Sequence, residues 1–109
     1  MDLMFNLKKE KILKYLSSIK KELNQDGIIE IGLFGSYAKD KADIASDIDI
    51  VICSSEKFLK KFRGFEGVIY LDNLRQKIMK HFKIQVDICD TFSMNEERKK
   101  KLLKDAIYV

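Results

Sequence analysis

GSYAKDKADIASDIDI, residues 35–50, joins two apolar segments through a polar loop and decides both the fold and the chemistry. Its Gly-Ser pair follows the branched apolar run Ile28–Phe34, and Asp47 and Asp49 open the next apolar run. Side chains two residues apart on a strand point to the same face, so these carboxylates are expected to lie side by side. Like charges at that separation repel unless a proton or a cation lies between them. The stretch therefore predicts two strands joined by a loop, with a site for a divalent cation where the second strand begins.

A third aspartate, Asp87, lies on the alternating segment Lys83–Cys89 between branched apolar neighbours. Aspartate is unfavourable inside a strand, and burying an unpaired carboxylate is costly. Three such residues favour a shared cation or a strand end that is open to solvent. Mg²⁺ fits best, because it prefers carboxylate oxygens and completes its shell with water and substrate phosphates. We predict Asp47, Asp49 and Asp87 as the metal ligands, in a set that could hold two ions.

The Gly-Ser turn is suited to a phosphate. Gly35 lets the backbone approach a ligand without an intervening side chain, and Ser36 adds a hydroxyl and an amide N–H. A helical turn beginning at Tyr37 would add further donors. Each motif by itself is common: Gly35 could be only a turn residue and Ser36 only a helix cap. Together with the carboxylates, however, they predict metal-assisted phosphoryl or nucleotidyl transfer.

The composition is that of a single folded domain, residues 1–109. Hydrophobic residues make up 46% of the chain and charged residues 35%, which argues against disorder. The net charge of +4 is mild, and direct nucleic-acid binding is not favoured. The basic residues group on predicted helices, where a solvent-facing surface is the simpler interpretation and an acidic partner the alternative. The groups are Lys8, Lys9 and Lys11; Lys57, Lys60, Lys61 and Arg63; and Lys99, Lys100, Lys101 and Lys104.

The cysteines and the histidine are not predicted to form a catalytic or metal site, and no targeting signal is evident in the sequence. Cys53 and Cys89 lie in predicted strands among apolar residues, so we expect reduced, buried, structural thiols. His81 has no ligand partner three or four residues away and is expected to be partly exposed near a helix end. Met1–Leu7 carries no run typical of a signal peptide, and no segment approaches the ~20 apolar residues of a membrane span. We expect a cytoplasmic protein that does not associate with membranes.

The periodicity of apolar residues predicts the order helix, strand, strand, helix, strand, helix, with short additional helical pieces. This order is typical of an α/β (α+β) domain with a small mixed sheet of three or four strands backed by helices. On the second strand Ile48, Ile50 and Ile52 share one face. The predicted helices are Leu7–Asn24, Tyr37–Lys41, Lys57–Phe62, Tyr70–His81 and Ser93–Ile107, the last opened by a capping box at Ser93 and Glu96; the predicted strands are Ile28–Phe34, Asp47–Cys53 and Lys83–Cys89.

The run Gly35-Ser36-Tyr37-Ala38-Lys39, followed by Ser46-Asp47-Ile48-Asp49-Ile50, resembles the signature of the DNA polymerase β-like nucleotidyltransferase superfamily. That signature is a Gly-Ser, a short interval, an Asp-x-Asp and a third Asp on a later strand, which Val86-Asp87-Ile88 matches. The length resembles that of the minimal nucleotidyltransferases, the antitoxins of prokaryotic HEPN/MNT toxin–antitoxin pairs. The ending Asp105-Ala106-Ile107-Tyr108-Val109 resembles the tail of that group.

The resemblance implies roles for individual residues. It places Gly35 and Ser36 at the nucleotide triphosphate, Asp47 and Asp49 at the metal, and Asp87 as the third carboxylate and candidate base. Lys39 stands where the family commonly has Arg; it keeps a positive charge for the nucleotide but lacks the bidentate fork. Asp40 stands where the family commonly has Gly, and it is expected to add negative charge near an anionic substrate.

The resemblance also implies an activity: Mg²⁺-dependent transfer of AMP from ATP to a hydroxyl, with a tyrosine of a cognate HEPN-type RNase toxin as acceptor. Three alternatives remain. The chain could neutralise its partner by steric binding without catalysis. It could modify a small molecule, although such enzymes usually carry a further helical domain and 109 residues leave little room for one. It could bind RNA through its lysines, which would leave the three aspartates unexplained.

Overall fold

The computed structural model describes residues 7–109 as a four-stranded mixed sheet with the two long helices packed on one face. This confirms the predicted fold class. The prediction that Met1–Leu7 carries no leader concerns residues that lie, apart from Leu7, outside the described part of the chain. The helices are α1 (Lys9–Gln25), α2 (Gly35–Ala38), α3 (Glu56–Lys61), α4 (Phe65–Phe82) and α5 (Glu96–Leu102); the strands are β1 (Glu30–Phe34), β2 (Ile48–Cys53), β3 (Val86–Asp90) and β4 (Ile107–Tyr108).

The strands lie side by side in the order β3, β2, β1, β4. β1 pairs antiparallel with β2 and with β4, whereas β2 and β3 run parallel. A parallel pair needs a long crossover, and α3 and α4 provide it between β2 and β3. In this register Phe34 lies opposite Asp49, and Asp49 lies opposite Asp87.

The core lies between the sheet and the two long helices, α1 and α4. The apolar positions of α1 at alternating intervals of four and three are all buried, as the pattern predicts. They belong to the same core cluster as alternate residues of β2, and those β2 residues have no exposed surface. The α1 residues are Ile12, Leu16, Ile19 and Leu23, and those of β2 are Ile48, Ile50 and Ile52.

α4 begins at Phe65, earlier than the predicted Tyr70, because Gly67 does not interrupt it. Gly67 is buried inside the first turns of α4. A β carbon at this position would lie 3.3 Å from the carbonyl oxygen of Phe62 and 3.5 Å from the ring of Phe58. The absence of a side chain therefore lets α4 pack closely against α3, a tertiary reason that sequence reasoning missed.

The predicted strand Lys83–Cys89 was wrong at its start, because Lys83 ends α4. This residue has φ 57°, in the left-handed region, and its N–H donates to the carbonyl oxygen of Met79 at 2.7 Å. A left-handed residue after the last turn is a common helix stop. The strand accordingly begins at Val86. The predicted bounds of α1, β1, β2 and α3 agree with the structure within two residues.

The predicted helix Ser93–Ile107 was wrong at both ends. Asn95, not Ser93, caps α5: its side-chain oxygen accepts a hydrogen bond from the N–H of Arg98 at 2.8 Å. α5 ends at Leu102, and the chain then forms β4 along the free edge of β1. Strand edges carry unpaired backbone groups, so pairing with an edge is favoured over extending an exposed helix.

The cysteine environments agree only in part with the expectation. Cys53 is buried as expected, whereas Cys89 is half-buried, and both are free thiols. His81 is exposed in the last turn of α4, where it stacks on Tyr15 with ring centroids 4.0 Å apart. None of the described helices combines the length and apolar content needed to cross a bilayer.

Candidate active site

Asp49 and Asp87 lie next to each other on the sheet face opposite the helical layer. Asp49 alternates with Ile48 and Ile50 of the core, and Asp87 follows the buried Val86. Because the two aspartates are register partners on parallel strands, their side chains project to the same side of the sheet. Asp47 precedes β2 and is exposed.

Asp49 is partly buried close to two other carboxylates. Partial burial raises the pKa of Asp49, and the negative charges of Asp87 and Asp47 raise it further. Among residues 7–109 the ion pairs engage other carboxylates, those of Glu22, Asp26, Asp40 and Asp72. Repulsion that protein cations do not offset favours the binding of an external cation at this point.

The Gly35 turn lies directly against Asp49. Gly35 has φ 76°, a conformation that side chains disfavour, and a β carbon built there would overlap the Oδ2 atom of Asp49. Both observations require glycine at this position. The pairing of Phe34 with Asp49 explains the contact, since β1 ends and turns at the point where β2 presents its carboxylate. The two sequence motifs therefore meet in space.

Ser36 belongs to a short helix that is anchored in the core. α2 starts at Gly35 rather than at the predicted Tyr37, and it ends at Ala38. Tyr37 and Ala38 are buried, and the carbonyl oxygen of Ser36 accepts a hydrogen bond from the N–H of Lys41 at 2.9 Å. These contacts hold the Gly-Ser turn in a fixed orientation beside Asp49.

The two departures from the family pattern follow α2. Lys39 is exposed at the C-terminal end of this helix. Asp40 has φ 57°, a region that glycine adopts without strain and that aspartate tolerates better than most residues. Its carboxylate pairs with Lys9 Nζ at 2.9 Å, so a cation of α1 offsets the negative charge that the sequence was expected to add near the substrate.

A cleft of about 360 Å³ borders Asp47, the first of the three predicted carboxylates. It does not enclose Asp49, Asp87 or the Gly-Ser turn. Sequence reasoning missed it because its walls come from α2, the loop before β2, the end of α4 and the approach to β3. Its lining consists of Leu7, Tyr37, Ala42, Asp43, Ile44, Ala45, Ser46, Asp47, Met79, Lys83, Ile84 and Gln85.

The aspartates fit a magnesium ion that binds together with a nucleotide. Within the described residues, no three His, Cys, Asp or Glu side chains are arranged to hold a metal ion unaided. Mg²⁺ does not need such a cage, since it is usually bound by one or two carboxylates together with water and substrate phosphates. Asp49 with its neighbours Asp87 and Asp47 offers oxygen ligands of this kind beside the Gly-Ser turn. The assignment of the three aspartates as ligands stays a prediction.

A family model described as a nucleotidyltransferase domain matches residues 9–109. The chain belongs to this nucleotidyltransferase family. It is 34% identical over 102 residues to the protein adenylyltransferase MntA of Thermococcus cleftensis, covering 92% of this chain and 94% of the relative. The predicted family and enzyme class are thereby confirmed.

One solved structure shares the fold of this nucleotidyltransferase, and a second superposes less closely. One, assigned as a minimal nucleotidyltransferase, superposes with a TM-score of 0.69 at 19% identity, covering 93% of this chain and 95% of the other. A nucleotidyltransferase from Sulfolobus solfataricus gives a TM-score of 0.46 at 22% identity, covering 92% and 80% of the two chains. The first likeness confirms the predicted fold.

Proposed function

We propose that this nucleotidyltransferase moves AMP from ATP to a hydroxyl group of a partner protein, with Mg²⁺ as cofactor. One observation carries the proposal: the Gly35 turn contacts Asp49, and Asp87 lies in register beside Asp49 on the same face. A turn suited to phosphate and a pair of carboxylates suited to a cation thus meet at one point. The name of the relative MntA, a protein adenylyltransferase, supports a protein acceptor.

The site residues divide between the cofactor and the nucleotide. Asp47, Asp49 and Asp87 would hold Mg²⁺ with the ATP phosphates, and the ion would supply charge neutralisation at the reacting phosphate. The backbone at Gly35 can approach the triphosphate closely, and the Ser36 side chain can donate to a phosphate oxygen. Lys39 is an exposed cation at the end of α2, on the helix that carries Ser36. We propose that it binds the outer phosphates of ATP.

In the proposed reaction the acceptor oxygen forms a bond to the α-phosphorus of ATP. The bond from that phosphorus to the oxygen bridging the α- and β-phosphates breaks, and pyrophosphate leaves. The proton of the acceptor hydroxyl goes to the Asp87 carboxylate and from there to water. Asp87 suits this role because it is exposed on the open face of the sheet, where it can exchange a proton with solvent.

We assign the acceptor to a tyrosine of a cognate HEPN-type RNase toxin, which AMP transfer would silence. The support for this partner is the resemblance of residues 35–50 and of the chain length to the minimal nucleotidyltransferase antitoxins. An Arg-x4-His pattern in the protein encoded beside this chain would strengthen the assignment.

The test is transfer of label from α-³²P-ATP, in the presence of Mg²⁺, to the protein encoded beside this chain. We expect the wild-type chain to label that protein and the Asp47→Asn, Asp49→Asn double variant to leave it unlabelled. The matched control is Asp72→Asn, an exposed aspartate on α4 that pairs with Arg75 away from the site. Label that persists in the double variant refutes the assigned site.

Steric neutralisation is a second candidate, because Lys39 lacks the fork that would hold a phosphate in two places. Under this alternative the chain binds the toxin and blocks it without transferring AMP. Toxin RNase activity measured without ATP distinguishes the two. Catalysis predicts inhibition only with ATP and intact aspartates, whereas steric binding predicts equal inhibition by the wild-type chain and the double variant.

A further inference from the structure

An apolar surface, here named the α4 stripe, is formed by Phe65, Val68 and Ile69. Their exposed fractions are 83%, 63% and 58%. Positions i, i+3 and i+4 of a helix are neighbours on its surface, so the three side chains form one patch. Single exposed apolar residues are normal, but a grouped set of this size marks an interaction surface.

The stripe is not explained by packing within the chain. The opposite side of α4 already faces the core through Gly67, Leu74 and Ile78. A helix that packs on one side only would be expected to carry polar residues on the other. The first half of α4 is therefore apolar on two sides, and the outer side needs a partner.

The stripe is also separate from the candidate active site. α4 belongs to the helical layer of the sheet, whereas Asp49 and Asp87 project from the opposite face. A partner bound along the stripe would leave the carboxylates open to nucleotide and acceptor. The surface is thus suited to assembly rather than to presenting the acceptor.

Charges of opposite sign lie at the two ends of the stripe. Arg63 precedes Phe65 at the start of α4 and is exposed; the ion pairs of the described residues do not include it. Asp72 follows Ile69 by one turn, and its side chain is 49% exposed. Asp72 accepts hydrogen bonds from Arg75 and Gln76, but a carboxylate has further acceptor sites.

We propose that the α4 stripe forms a two-fold interface with a second copy of this chain, α4 packing antiparallel against α4. A two-fold interface uses the same patch on both copies, which must therefore complement itself. In the antiparallel arrangement the apolar residues meet one another, and Arg63 of each copy meets Asp72 of the other. A parallel arrangement would bring like charges together.

Sedimentation velocity of the whole chain, from about 1 µM to about 300 µM, tests this association in the range expected for a small interface. We expect a concentration-dependent monomer–dimer equilibrium. Ile69→Ser should raise the dissociation constant at least ~10-fold. The matched control is Ile29→Ser, since Ile29 is exposed to the same fraction, 58%, but precedes β1 and does not belong to α4. It should leave the dissociation constant unchanged.

Charge reversal distinguishes a second copy from a different partner. Arg63→Asp and Asp72→Arg should each weaken the dimer, because each places like charges in contact. The double variant should restore association to near the wild-type value, since the pair is re-formed with its signs exchanged. Melting temperatures verify that each variant is folded.

Three results would each overturn the proposal. They are a wild-type chain that stays monomeric over the whole range, equal effects of Ile69→Ser and Ile29→Ser, and a double reversal no stronger than the single reversals. The third result would mean that the stripe binds in another orientation or serves another protein.

Discussion

Along β2, neighbouring residues face opposite surroundings and perform different tasks. Ile48 and Ile50 have no exposed surface beneath the helices, whereas Asp49 between them reaches the open face and is only partly buried. Val51 lies on the same side as Asp49 but is buried, so exposure on this side is confined to the beginning of the strand. The packed face supplies stability, and this allows the open end of the same strand to carry carboxylates that repel one another.

The largest effect on activity is expected from Asp49→Asn, which tests whether the open end of β2 serves the reaction and not stability. The transfer rate should fall by ~10³-fold or more, equivalent to about 4 kcal/mol, because a neutral amide no longer offers an anionic ligand. In buffer with EDTA the melting temperature should stay equal or rise, since burial, Asp87 and Asp47 all disfavour the ionised carboxylate. Loss of both activity and stability would mean that Asp49 is structural.

On the packed face, a substitution should lower stability and leave activity unchanged. Ile50→Ala removes buried atoms from a residue with no exposed surface, and it should cost about 2–5 kcal/mol of unfolding free energy in urea titrations. The transfer rate per folded molecule should be unchanged. Ile29→Ala, at an isoleucine that is 58% exposed, should cost less than ~0.5 kcal/mol. Equal costs at the two positions would contradict the assignment of the core.

Asp26 contrasts with Asp49, because its surroundings lower the pKa of the carboxyl group whereas those of Asp49 raise it. The Lys61 ammonium donates to Asp26 at 2.6 Å and lowers its pKa; burial opposes this, and the Tyr70 hydroxyl at 2.8 Å adds to the lowering. A depressed pKa in the folded state contributes stability above the ordinary value of 3.8, and that stability is lost as the pH falls through the folded pKa.

Asp26→Asn should therefore destabilise the chain by about 1–2 kcal/mol at neutral pH. The difference from wild type should begin to shrink as the pH falls below about 4, where the unfolded chain takes up the proton, and it should disappear once the pH is below the lowered pKa of the folded state. Thermal unfolding measured between neutral and acidic pH follows this difference. A stability difference that stays constant with pH would show that the charge of Asp26 does not cause the stabilisation.

The smallest expected effect comes from two glycines with positive φ. Gly35→Ala and Gly64→Ala should each cost at least about 1 kcal/mol of stability, because both residues have a positive φ that alanine disfavours. A β carbon at Gly64 meets nothing within 4 Å, whereas one at Gly35 overlaps the carboxylate of Asp49. Only Gly35→Ala should lower the transfer rate, by ~10-fold or more. Equal transfer rates of the two variants would show that the Gly35 turn does not take part in the reaction.

Much of the candidate site could be predicted from the sequence, because its parts depend on local rules. Alternation along a strand fixed the faces of Asp49 and of the neighbouring isoleucines, and the Gly-Ser turn followed directly from the end of β1. The position of Asp87 beside Asp49 was harder. It required parallel pairing of β2 and β3 in one particular register, which the crossover through α3 and α4 establishes.

Other features could not be predicted because they depend on distant parts of the chain. β4 is a strand of two residues that exists because β1 has a free edge beside it. The pairing of Asp40 with Lys9 joins residues 31 positions apart. Gly67 suggested an interruption of the helix, and only the ring of Phe58 against it shows why glycine is accommodated inside α4.

By itself, the sequence determined the helix and strand periods, the core face of each long element, the family and the residue types available for chemistry. Only the tertiary structure decided that the Gly35 turn touches Asp49, that Asp87 lies in register beside it and that the α4 stripe faces solvent. The physical reason is that periodicity acts between residues a few positions apart. Contacts across the sheet instead depend on how the whole chain buries its apolar surface and pairs its backbone groups.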